Sequence, residues 1–188
     1  MTIICRVFDA LYLRLPCGLL WHILTHVTVL NQNEIEAGES VLGLSAVRYE
    51  DVRIAEGRLL SIIFRLNGGR AFTLFHTINL PGTGNQSRPH LDIIIHELVH
   101  VCQFELIGSV YIWQALKAQR EEGYAYRGWQ QLAIDREHGG HFLDHNREQQ
   151  GQIAQDYYNL VIAGSLPADD PVSMAFQPFI EELRNGEL

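Results

Sequence analysis

His96, Glu97 and His100 form an H-E-x-x-H sequence, and this pentapeptide carries more chemistry than any other stretch of the 188 residues. On an α-helix, residues four apart lie on one face, a turn from each other, so both imidazoles can converge on one metal ion. Glu97 then stands about 100° round the same turn, able to reach a water on the metal without being a ligand itself. The chemistry these three residues compose is metal-assisted hydrolysis. A zinc ion lowers the pKa of its water to about 7 and polarises a scissile carbonyl, while the carboxylate carries the proton from water to leaving amine.

With nine His and 14 Glu in the chain, H-E-x-x-H would arise somewhere by chance with a probability of roughly 0.03. The flanks weigh further against coincidence. Ile93-Ile94-Ile95 before the motif and Val99, Val101, Cys102 and Phe104 within and after it make the helix apolar nearly all round, which is the pattern of a buried central helix. Two imidazoles and a carboxylate are costly in such a place unless paired, and metal coordination satisfies them.

A site with two His needs a third protein ligand. A helix over residues 120–133 would offer Glu122, 22 positions after His100, from a neighbouring element. Glu148, in Asn146-Arg147-Glu148-Gln149-Gln150, opens another helix with Asp144 or Asn146 as its cap. A third histidine is the remaining option, and His138, His141 and His145 cluster around Gly139-Gly140. The pattern with a third His six residues after the second is excluded, because that position is Leu106. A glutamate ligand is favoured.

The elements that must position these groups follow from periodicity and turn signals. Asn31-Gln32-Asn33 caps a short helix beginning at Glu34, with Gly38 as its expected stop. A short strand is expected within Val47–Ile54. Leu59–Arg65 and Ala71–Ile78 read as two β-rich runs joined by Asn67-Gly68-Gly69 in a hairpin. Residues 81–90 form a loop, and beyond them the chain reads as helical to its end, broken at Gly139-Gly140 and Pro167. The expected fold class is α+β: a small N-terminal β-sheet, then the active-site helix, then a mostly helical C-terminal half.

Length and composition support one domain, with residues 1–33 as an amphipathic segment and residues 34–188 as the domain proper. Residues 15–30 carry no formal charge, but Pro16, His22 and His26 dilute the stretch and it is shorter than the ~20 residues a span needs. No membrane span and no targeting signal is expected. The net charge of −8 and the scattered Lys and Arg argue against a nucleic-acid partner. Cys5, Cys17 and Cys102 have no metal-ligand spacing and read as thiols.

The order Arg70-Ala71-Phe72-Thr73-Leu74-Phe75-His76-Thr77-Ile78-Asn79, then His96-Glu97-Leu98-Val99-His100-Val101-Cys102-Gln103-Phe104, then Asn146-Arg147-Glu148-Gln149-Gln150 with Asp156-Tyr157-Tyr158, resembles the small zinc-metallopeptidase-like domains attached to VgrG-type spike and Rhs proteins of bacterial type VI secretion. The resemblance spans about residues 34–160. It implies a zincin-like fold, a gluzincin-type site holding Zn²⁺, and Glu148 as third ligand ahead of Glu122. It also implies, in some relatives, an antibacterial effector made in the cytoplasm and delivered into a target-cell periplasm, with spike and immunity proteins as partners and a peptide or protein as substrate. Two positions depart from the family: it often has Gly where Phe75 stands and Trp where Cys102 stands. Neither is a proposed ligand.

Other side chains have a functional and a structural reading. Tyr124, Tyr126, His141 or His145 can donate a hydrogen bond to a tetrahedral oxyanion, against packing roles for the tyrosines and solvated loops for the histidines. Asp156 can orient a metal-bound imidazole or lie on the surface. His76 can face substrate from its strand, Gln103 supports the helix through polar contacts, and Trp113 and Trp129 belong to the core.

Overall fold

The computed structural model describes residues 2–10, 17, 19–22, 25–56, 58–121 and 123–188. Helix α1 (Thr2–Ala10) precedes strand β1 (His26–Val29), and helix α2 (Gln32–Leu42) follows. A 3₁₀ turn at Tyr49–Asp51 leads into β2 (Arg53–Glu56), and α3 (Arg58–Leu66) into the short strands β3 (Phe72–Leu74) and β4 (Thr77–Asn79). The rest is helical: α4 (Leu91–Ile107), α5 (Val110–Glu121), α6 (Trp129–Glu137), α7 (Arg147–Tyr157), whose last turn widens into a π-helix over Tyr158–Ile162, and α8 (Pro171–Arg184). The class is therefore α+β: among the described residues α1 precedes the strands, α2 and α3 fall between them, and all four strands precede α4. Among the described residues no helix is long and apolar enough to cross a membrane.

Among the described residues four strands make one mixed sheet in the order β1-β2-β4-β3. β1 runs antiparallel to β2, β2 parallel to β4, and β4 antiparallel to β3, so β3 is an edge. Because side chains alternate across a strand, Ile54 and Ile78 face one way, into the main core, while Ala55 faces the other. α3 covers that second face: Leu60 and Phe64 pack with Ala55, Trp21, Val27 and Phe72. On the first face the main core gathers α2, α4, α7 and α8 around residues such as Val41, Leu98, Ile153 and Phe179.

Three expectations are corrected. Leu59–Arg65 lies within helix α3, so it is no strand. Leu60, Ile63 and Phe64 fall at i, i+3 and i+4 on the inner face, with Ser61, Ile62 and Arg65 exposed, and this helical spacing overrides the β-propensity of the two isoleucines. The hairpin lies further on, with β3 and β4 joined at Phe75-His76. Gly38 does not end α2; the helix runs to Leu42 and is capped by Gly43. A Cβ at Gly38 would stand 2.7 Å from the Tyr49 ring and 2.9 Å from Leu98, so this glycine serves close packing inside the helix. Residues 120–133 are not one helix, since residues 123–128 leave helical conformation between α5 and α6. Positive φ at Gly123, Arg127 and Gly128 enforces the break.

The cap falls on Asn31, with the helix starting at Gln32, two residues before the expected Glu34: the Asn31 side chain accepts from Glu34 N while Glu34 reaches back to Asn31 N. Residues of the N-terminal segment join the sheet, β1 as a strand and Trp21 through a 2.9 Å hydrogen bond to the Asn79 side chain.

Candidate metal centre

Helix α4 is buried continuously from Ile93 to Phe104, and its two histidines stand a turn apart with ring centroids 5.0 Å from each other. Helix α7 packs across it. Asn146 caps α7, accepting from Glu148 N and Gln149 N while the Gln149 side chain bonds back to Asn146 N. Glu148 is thus in the first turn, where exposed N–H groups and the helix dipole favour an anion. Three residues later, Gly151 lets the helices close up: a Cβ there would stand 2.7 Å from both Cε1 and Nε2 of His96.

The result is a buried triad. Glu148 Oε2 lies 3.6 Å from His96 Nε2, and its Oε1 lies 3.6 Å from His100 Nε2. Direct charged hydrogen bonds would be about 2.7–2.9 Å long, so these separations are too wide for them. Two ligands each ~2.1 Å from a tetrahedral ion are separated by about 3.4 Å, close to the observed spacing. Among the described residues this is the group of His, Cys, Asp and Glu whose donor atoms, all within 4.8 Å of one another, could hold a metal ion. Two nitrogens and a carboxylate oxygen also suit zinc chemically.

The electrostatics are those of a tightly shared site. Burial would raise the Glu148 carboxyl, but the imidazoles, His100 foremost, hold it well below the usual carboxylate range. Burial would likewise depress His100, yet the Glu148 charge pushes it up to about 9. A proton here and a metal ion compete for the same lone pair.

A polar chain fixes one imidazole. His100 Nδ1–H donates to Gln103 Oε1 at 2.8 Å, which turns Nε2 toward Glu148. The Gln103 amide in turn donates to Arg147 O at 3.1 Å and Gln150 Oε1 at 2.9 Å, tying α4 to α7 beside the triad. His96 Nδ1 is buried and has no hydrogen-bond partner among the described residues.

Glu97 points from α4 toward the edge strand. Thr73 Oγ1 donates to its Oε2 at 2.8 Å, and the Tyr111 hydroxyl donates to the Thr73 backbone carbonyl. Burial pushes the Glu97 carboxyl up, against the pull of His100, His96 and Thr73. Tyr124, from the segment between α5 and α6, has its ring 5.6 Å from that of His96, and the Arg70 guanidinium lies 5.5 Å from the Tyr124 ring centroid. Burial and the Glu148 charge raise the Tyr124 phenol. Two clefts meet here. One of about 270 Å³ reaches Glu97, His100 and Glu148; the other, of about 220 Å³, reaches His96 and Glu97.

Of the residues singled out from the sequence, the structure brings together His96, Glu97, His100, Glu148 and Tyr124. Glu122 lies outside the described residues. Tyr126 donates to Asp156 at 2.6 Å, and Asp156 also accepts from Gln152, so the hydrogen bonds found for Asp156 go to a tyrosine and a glutamine. His141 pairs with Glu182 at 2.9 Å, His145 packs on Phe179, and His138 bonds to Ile134 O. His76, in the β3–β4 turn, pairs with Glu105 at 3.0 Å. Thr73, Tyr111, Arg70 and Gly151 were not singled out from the sequence for this site. Thr73 left a faint signal as the lone polar residue of Phe72-Thr73-Leu74, but only the packing of α4 on that face gives it a partner.

Compared with family models, with curated proteins and with solved structures, the chain has no match.

Proposed function

We propose that this protein is a zinc-dependent hydrolase of peptide bonds. The observation that carries the reading is the convergence of two imidazole nitrogens on one carboxylate, all buried, each nitrogen 3.6 Å from a Glu148 oxygen, beside a second buried carboxylate, Glu97, outside that group. His96, His100 and Glu148 hold the ion. When bound, it supplies Lewis acidity that activates a water and polarises the scissile carbonyl.

The chain's own groups do the rest. Glu97, fixed by the Thr73 hydroxyl, accepts a proton from the attacking water and passes it to the leaving amine, so the C–N bond breaks as a C–O bond forms. Tyr124 stands with its ring beside that of His96, and its hydroxyl is the donor that would turn to the carbonyl oxygen as that oxygen gains charge. Gln103 keeps His100 in the tautomer that presents Nε2. The sequence resemblance supports a type VI effector acting in a competitor's periplasm, with spike and immunity proteins as partners.

Metal content by mass spectrometry, with hydrolysis of a mixed peptide pool by wild type, Glu97→Gln and Glu148→Ala, tests this. About one zinc per chain is expected in wild type and Glu97→Gln, with cleavage in wild type alone and loss of metal in Glu148→Ala. Zinc binding with no peptide cut in any condition replaces the reading with a metal-stabilised binding module. A wild-type chain that takes up no zinc removes the site altogether.

A further inference from the structure

The two clefts that meet at the triad differ in chemistry, and both border on Glu97 and Tyr124. The one on the His100 side runs between α3, β3 and α5 and is walled by Ile63, Phe72, Leu74, Ile112, Ala115 and Leu116. The one on the His96 side is walled by Gln86, Gln152 and Gln155, with Arg70 at the boundary of both. A volume of about 270 Å³ falls just under the ~300–1,000 Å³ of pockets that enclose a whole small ligand, so it suits a large side chain of an extended molecule that continues beyond it.

Resting on the hydrolase reading, we infer that the substrate is a peptide with a bulky apolar side chain, of the Leu, Met or Phe kind, on the His100 flank of the scissile bond, and that Ala115 and Leu116 set this preference. The scissile bond must lie where Glu97 and the triad converge, which is the seam between the clefts. The residue on one side of that bond then projects into the apolar cleft and its counterpart meets the glutamines. Removing an aliphatic side chain of leucine size from water favours its binding by roughly ten- to hundred-fold over a serine. Ala115 is a small residue in the wall, so its side chain leaves the depth open; Leu116, about half exposed, forms the rim.

The test uses the zinc-loaded full chain and a peptide library read by mass spectrometry, with wild type, Ala115→Phe and Leu116→Ser compared. In parallel, the Glu97→Gln protein, with and without Ala115→Phe, is titrated with two fluorescein-labelled hexapeptides that differ only in Leu or Ser at one position. The inference predicts at least ten-fold preference for a bulky apolar residue on one constant side of the cleaved bond. Ala115→Phe should shift that preference toward small residues, and Leu116→Ser, at an exposed position that tolerates change, should weaken it several-fold. Cleavage with no apolar preference, or a preference untouched by both substitutions, overturns the inference and leaves the hydrolase standing. If nothing is cut but Glu97→Gln binds the Leu peptide ten-fold tighter and Ala115→Phe abolishes the difference, the cleft assignment stands and the hydrolase reading falls. The absence of both cleavage and binding discrimination overturns the inference.

Discussion

Gly151 and His96 are in such close approach that α7 could not carry any side chain at this position without moving the imidazole: a Cβ would stand 2.7 Å from Nε2. Gly151→Ala should therefore invert the usual rule. Within a helix the change ordinarily gains about 1 kcal/mol; here overpacking costs ~1–3 kcal/mol and displaces a ligand. We expect a lower melting temperature and a zinc affinity reduced by at least ten-fold, read by chelator competition. An alanine variant as stable and as zinc-binding as wild type would mean that α7 stands further from α4 than described.

Gln103 works on the other imidazole. It accepts from His100 Nδ1 and is itself held by Arg147 O and Gln150 Oε1. Gln103→Leu keeps the approximate volume but removes the acceptor and the tie to α7. Loss of such an orienting partner lowers metal affinity by about 10–100-fold. Titration against a calibrated chelator measures this, and an unchanged affinity would reduce Gln103 to packing.

Acid should loosen the packing of α8 through Glu182. Burial raises its carboxyl, but the Phe142 N–H, His141 and Arg136, at 2.7, 2.9 and 2.7 Å, outweigh burial and hold it below the ordinary value. With the folded pKa depressed, the stabilisation is fully present above the unfolded value of about 4.3 and is lost as pH falls through the folded one. Urea unfolding of wild type and Glu182→Gln at stepped pH should show wild type ahead by a constant margin above about pH 5.5, narrowing as the pH drops through 4. A margin independent of pH would remove the linkage.

Local sequence carried the parts of this architecture that local physics determines. The i, i+4 histidines lie on one helix as the sequence puts them, and of the two caps the sequence offered, Asp144 and Asn146, it is Asn146 that caps α7. Leu59–Arg65 misled because a run of seven holds too few turns for a helical period to stand out over isoleucine content. Gly38 misled because its reason is Tyr49 and Leu98, distant in sequence. The same limit hid Thr73, whose partner Glu97 lies 24 residues on. Nothing in Phe72-Thr73-Leu74 says which face meets α4 until the sheet is paired.

Phe75 opens the two-residue turn between β3 and β4 with φ of +57°, the left-handed region that side chains resist. Holding a β-carbon there costs roughly 1–2 kcal/mol, and the ring offsets it by packing edge-on against Phe104 with centroids 5.5 Å apart. Such a contact is worth about 0.5–1.5 kcal/mol beyond the area it buries. Phe75→Ala forfeits the contact and keeps the strain, whereas Phe75→Gly forfeits the contact and releases the strain. Chemical unfolding should therefore rank the glycine variant at least as stable as the alanine variant, by up to about 1 kcal/mol, the opposite of the order expected in a strand or helix. Should alanine prove the more stable, the turn must have relaxed out of the left-handed region, and the position of His76 beside Glu105 would have moved with it.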